Sequence, residues 1–232
     1  MLSVDQNRTG FSPRTIDFIW NLRLNNNKPW FEAHKEEFLR DFQRPMKALG
    51  QTVFERVEAD FGDRGFIHKV SRIYKDARRV HNGEPYKTSL WFSIERPSEE
   101  EWTSTPVFWF DLGPESWSYG MGYGGARPET MAKLRARIDQ NPKAFEKLIA
   151  PLDGQDGFVL DGPEYARKKE APTSKTAVWY NRKSFSLIHM QPNGEELFSP
   201  DLADRLVAGY TFLMPFYDYF ITLDVDPAPE LL

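Results

Sequence analysis

The sequence predicts an α+β fold: a mainly antiparallel sheet covered by N-terminal and C-terminal helices. Three observations predict it. Pro-led segments with helical apolar spacing are grouped at the two ends of the chain, and short alternating runs joined by tight turns are grouped between them. That order belongs to segregated helices and strands, not to regular βαβ alternation. The third observation is the aromatic load, 18 Phe, 9 Tyr and 7 Trp in 232 residues, which supplies a sizeable core.

Ser12-Pro13 opens the first helix, with Ser as N-cap and Pro at the first helical position, and Ile16, Ile19, Trp20 and Arg23 follow at helical spacing. Asn25-Asn26-Asn27 ends it. A second helix is predicted from about Lys28 to Phe42, with Trp30, Phe31, His34, Phe38 and Phe42 as its stripe. Pro45 breaks the pattern, and a third helix runs through Met46, Leu49, Val53 and Val57 to Phe61. Strands follow at 66–73, 88–95, 105–112 and 116–123, the last two joined by Gly113-Pro114 as in a meander. Pro128 and Pro142 start two more helices. The Gly-, Pro- and charge-rich segment 153–172 reads as a loop or sub-domain boundary, 175–182 as a short helix and 184–190 as a strand. Ser199-Pro200 opens a final long helix that Pro215 bends. The expected organisation is a tail over 1–10, one domain of four or five strands over 11–222, and a tail over 223–232. Trp20, Phe31, Phe38, Phe54, Leu90, Phe92, Phe108, Phe110, Leu134, Leu206 and Leu213 are the expected core.

Composition narrows the chemistry. There is no cysteine, which removes disulfides, thiolate metal sites and thiol nucleophiles and suits a reducing cytoplasm. The densest apolar run is Val107–Phe110, far short of the roughly 20 residues of a membrane helix, so a soluble protein without a membrane partner is expected.

Charge singles out one segment. Lys69–Thr88 carries Lys69, Arg72, Lys75, Arg78, Arg79 and Lys87 against Asp76 and Glu84, a net +4 in a chain whose total is −4. A positive island on an acidic protein points to a local anionic partner. In that reading Arg72, Arg78 and Arg79 clamp a phosphate or carboxylate, Lys75 and Lys87 add point charges, and Tyr74 and Tyr86 form walls. His81 and Asp76 are the proton-transfer candidates. The competing reading pairs these cations with the chain's own acids as ordinary surface contacts. Nucleic acid is a secondary possibility, because no long basic stripe is present.

Other patterns are weaker. Gly120-Met121-Gly122-Tyr123-Gly124-Gly125 fits G-x-G-x-x-G ahead of a helix at Pro128, but no βαβ unit surrounds it, so a strand bend is the preferred reading. Gly122, Gly124 and Gly125 remain secondary candidates for a phosphate cradle. His34, His68, His81 and His189 show no ligand spacing, so no metal site is predicted, and the sequence speaks neither for nor against a cofactor. The Asn25–Asn27 turn running into Trp30 and Phe31 reads as a helix junction, with the alternative that its amides line a pocket.

Several of these segments together resemble one family. They are Phe11-Ser12-Pro13, Asn26-Asn27-Lys28-Pro29-Trp30-Phe31, Arg72-Ile73-Tyr74-Lys75-Asp76-Ala77-Arg78, Pro85-Tyr86-Lys87-Thr88 and the Tyr119–Gly125 run leading into Arg135. They are similar to the domain of unknown function 2461, known from bacteria and fungi, over nearly the whole chain. The resemblance implies a single α+β domain and supplies no activity. Where family members usually carry a Phe-Ser-Lys-Asp-Lys-like run, this chain has Arg79-Val80-His81-Asn82-Gly83. The function class expected is binding, with turnover open, of a small phosphorylated or anionic ligand. The alternative is a non-catalytic protein-interaction module that uses exposed aromatics.

Overall fold

The computed structural model of the chain describes residues 10–76, 78, 83–98, 105–227 and 229. Helix α1 (Pro13–Leu24) starts where Ser12-Pro13 predicts. Next come α2 (Lys28–Ala33), α3 (Lys35–Phe38), a π-helical turn over Leu39–Gln43, and α4 (Arg44–Phe61). The second helix expected to reach Phe42 is therefore interrupted. At His34 the backbone leaves helical geometry (φ −112°, ψ 15°). The π turn has a cause in Pro45, which has no N–H to offer the carbonyl four residues earlier. That carbonyl, on Asp41, instead accepts the Thr15 hydroxyl at 2.6 Å. Thr15 is fully buried and also accepts the Ser12 N–H at 3.1 Å.

Six strands form one antiparallel sheet: β1 (Ile67–Val70), β2 (Leu90–Glu95), β3 (Val107–Leu112), β4 (Ser116–Gly122), β5 (Val159–Asp161) and β6 (Ser186–Pro192), in the order β1-β2-β3-β4-β6-β5. The first four are the predicted meander. The strand beyond the expected four or five is β5, which lies inside the segment read as loop. It pairs with β6 through Val159–Ile188, Leu160–Leu187 and Asp161–Ser186. Three residues are too few to show alternation. The remaining helices are α5 (Pro128–Gln140), α6 (Pro142–Ile149), α7 (Ser174–Tyr180), α8 (Glu195–Phe198) and α9 (Leu202–Ile221). The fold class is α+β. Among the described residues no helix is long and apolar enough to cross a membrane.

The chain divides into two compact units, one of Met1–Ile94, Trp109–Tyr119 and Met190–Ala208, the other of Glu95–Phe108, Gly120–His189 and Gly209–Leu232. In the first, Phe18 meets Phe38 at 5.9 Å, and Phe92, Phe110 and Trp117 form a ring series at 5.4 and 6.0 Å. Helix α4 lies against β1. There Gly50 makes room for the His68 ring, which a Cβ would force to shift. Burial pushes the His68 pKa down. Trp20, expected in the core, is 39% exposed, since the buried face of α1 is Thr15, Phe18, Ile19 and Leu22. Phe54 is half-buried, beside His68. The other expected core residues of this unit are buried.

In the second unit, Phe108 packs on Tyr210 and Tyr217 of α9 at 5.0 and 4.9 Å, and Phe185 on Trp179 and Phe220 at 5.1 and 4.7 Å. Residues 223–226, expected in the tail, form a packed turn. Leu223 is fully buried, and Arg137 pairs with Asp226 while donating to the Tyr219 and Thr222 carbonyls.

Candidate anion-binding strip

Beyond β1 the chain stays extended and folds back on itself. Ser71 N–H donates to the Trp91 carbonyl at 2.8 Å, and Trp91 N–H donates to the Ser71 hydroxyl at 3.0 Å. Tyr74 and Tyr86 then face each other in an antiparallel bridge, framed by Lys75 N–H to the Pro85 carbonyl (2.8 Å) and Lys87 N–H to the Ile73 carbonyl (2.7 Å). Gly83, at φ 75°, supplies the left-handed residue of the return. The two flanks of the predicted basic loop are therefore paired through one β bridge, with Lys75 and Lys87 beside it.

The bridge is braced from α2 and the turn before it. The Asn26 amide pairs with the Tyr86 backbone in both directions: Nδ2 donates to the Tyr86 carbonyl at 2.9 Å, and Tyr86 N–H donates to Oδ1 at 3.0 Å. Asn27 caps α2 by accepting Trp30 N–H at 3.0 Å, and Asn25 donates back to Asn21. The Asn run is thus the helix junction expected, and its amides bind backbone. Phe31 stacks on the Tyr86 ring at 4.1 Å, and Tyr74 lies 5.3 Å from Tyr86. Tyr86 is 1% exposed, so its ring is packing and not the open wall the sequence suggests; Tyr74 is 52% exposed and does present a face. Burial, followed by the nearby Tyr74 and Glu32, raises the Tyr86 pKa.

The charged groups sort as follows. Lys75 pairs with Glu84 at 3.3 Å. Arg78 grips Asp76 through Nε and Nη2, the latter at 2.6 Å, and its own N–H donates to Asp76 Oδ1 at 3.0 Å. The Arg78 side chain is 88% exposed, so the carboxylate it neutralises is a surface one. Arg72 is exposed and Lys87 half-buried. Arg79 and His81 lie outside the described residues. Among the described residues no group of three or more acids and histidines is arranged to hold a metal.

The glycine run has a packing cause. A Cβ on Gly120 would strike the Leu187 carbonyl, and one on Gly122 the Phe185 carbonyl and Ser186. These glycines let β4 approach β6 closely. Gly124 and Gly125 form an exposed turn ahead of α5.

One titratable group escaped the sequence reading. Asp111 sits among the apolar residues of β3, where burial lifts its pKa to about 6 against a smaller opposing effect of a hydrogen bond with Ser89. Ser89 lies two residues beyond Lys87. A carboxyl that titrates near neutrality can exchange protons at physiological pH. The only signal in the sequence is one acid in the run Val107–Leu112.

Comparison with curated proteins gives no match. The model of the family described as conserved hypothetical protein, DUF2461, matches residues 14–219. That span carries nearly all of α1 and α9, the Tyr74–Tyr86 bridge and the whole sheet, and the chain belongs to the DUF2461 family.

Proposed function

We propose that the chain binds a small phosphorylated or otherwise anionic ligand on the strip from Arg72 to Lys87. The observation that carries this reading is the ring of Tyr74. It is half open to solvent, seated on the buried Phe31–Tyr86 stack, in a segment where cations outnumber acids. An aromatic face with cations beside it suits a ligand that has both a planar part and a negative part. Arg72, Lys75, Arg78, Arg79 and Lys87 supply the positive field. Should the ligand be turned over, Asp76 and His81 are the proton-transfer groups of the loop. The lack of cysteine supports a cytoplasmic setting.

A thermal-shift screen with phosphorylated metabolites and nucleotides tests the proposal. A ligand present at 100 times its Kd stabilises the fold by about 2.7 kcal/mol, well within range of such a screen. The second reading, a docking module, draws on Trp20 and Leu24, which are 39% and 76% exposed one turn apart on α1. Trp20→Ala and Leu24→Ser should leave any ligand-induced shift unchanged if the strip is the site.

A further inference from the structure

We propose that Arg135 and Lys183, which converge on the ring of Tyr165, form a separate subsite for an oxyanion. The inference does not depend on the strip around Tyr74. It rests on two cations of the second unit and on a guanidinium that the described residues leave without a hydrogen bond.

Arg135 projects from α5 with its guanidinium carbon 5.6 Å from the Tyr165 ring centroid, and Lys183 Nζ lies 5.8 Å from the same ring. Backbone pairing fixes this arrangement. Tyr165 N–H donates to the Asn181 carbonyl at 2.9 Å and Lys183 N–H to the Pro163 carbonyl at 2.8 Å, with an antiparallel bridge between Glu164 and Arg182. Contact with a ring face satisfies a cation's charge but not its N–H donors, which lie in the guanidinium plane. Arg135 Nη1 is buried and has no hydrogen-bond partner. That nitrogen is closed to any ligand, but Nε and Nη2 make no hydrogen bond among the described residues either and are not closed off, so they are the donors an anion can reach.

The neighbouring carboxylates do not fill the gap. Asp139, one helical turn along α5, would be the natural partner of Arg135, yet it accepts the Tyr180 hydroxyl at 3.0 Å. Glu164 is held by Lys168 at 3.1 Å and Arg182 at 3.7 Å. Among the described residues, Arg135 and Lys183 enter no ion pair. Two like charges on one ring, neither of them in an ion pair, form a positive focus. The exposed turn at Gly124 and Gly125 is tied to this place, because Ser184, next to Lys183, accepts Ala126 N–H at 3.0 Å and donates to the Tyr123 carbonyl at 3.3 Å. Phosphate and carboxylate share the required chemistry, a planar or pyramidal set of acceptors for one fork and one ammonium.

The test is a titration of the 15N-labelled full chain with inorganic phosphate and, separately, with acetate at constant ionic strength. The expected result is saturating shifts of the Tyr165, Lys183 and Ser184 amides with at least one anion. Lys183→Met, at an exposed position that does not threaten folding, should weaken that response about tenfold, the loss of one charge-assisted hydrogen bond. Arg135→Gln should weaken it similarly, and Arg72→Ala should leave it unchanged, which separates this subsite from the strip. A response to phosphate alone would mark the ligand as phosphorylated, and one to acetate as well as a carboxylate. Absence of saturating shifts at these amides with both anions, or an unchanged affinity in Lys183→Met, would overturn the proposal.

Discussion

The side-chain amide of Asn26 hydrogen-bonds both the N–H and the carbonyl of Tyr86, at 3.0 and 2.9 Å. Sixty residues apart in sequence, the two are joined as an extra strand would be. Asn26→Ala removes both partners and leaves two backbone groups of a buried residue unsatisfied. The expected loss is about 1–3 kcal/mol, read as a lower denaturant midpoint at unchanged slope. Asn26→Asp keeps the acceptor and loses the donor, so it should fall between wild type and Asn26→Ala.

Arg78 is expected to behave differently. Its partner Asp76 is a surface carboxylate and its own side chain is 88% exposed, the setting in which ion pairs contribute little to stability. Arg78→Ala should therefore melt with the wild-type midpoint in the absence of ligand. A large drop would show that this end of the loop holds the fold together.

Asp111 makes a pH prediction. Its folded pKa, about 6, lies above the ordinary carboxylate value, so between about pH 4 and 6 the native state binds more protons than the unfolded chain. Stability then falls as pH rises through that window and is level above it. Asp111→Asn keeps an acceptor for Ser89 and cannot ionise. Urea melts should show the variant gaining about 1–3 kcal/mol on wild type between pH 4 and 7.

What the sequence made legible was local. Ser12-Pro13, Pro128 and Pro142 mark helix starts because capping and the fixed proline φ act within one turn. The meander was legible because alternation and tight turns are short-range as well. What was lost depended on partners far along the chain. Trp20 looks as apolar as Phe18, and only the packing of α1 through Thr15 and Leu22 turns it outward. Tyr86 looks like a binding-site aromatic until Phe31 and Asn26 are seen to claim its ring and its backbone. The charge of the strip was visible from composition alone, but not the Tyr74–Tyr86 bridge that pairs its two flanks.

The most direct test of the anion-binding account is calorimetric titration of pyrophosphate into Lys183→Met as the parent chain and into Arg72→Ala and Tyr74→Ala made on that background, at near-physiological ionic strength. That background weakens the Tyr165 subsite. Arg72 is exposed, so Arg72→Ala should keep the parent melting midpoint. Tyr74→Ala loses the ring contact with Tyr86 and should melt lower, by the worth of an aromatic pair, about 0.5–1.5 kcal/mol. The account predicts saturable binding in the parent chain and, in Arg72→Ala, a loss of about 1.5–3 kcal/mol, the value of a hydrogen bond to a charged group. Binding of equal affinity in all three chains, or no saturable binding in the parent, would contradict it.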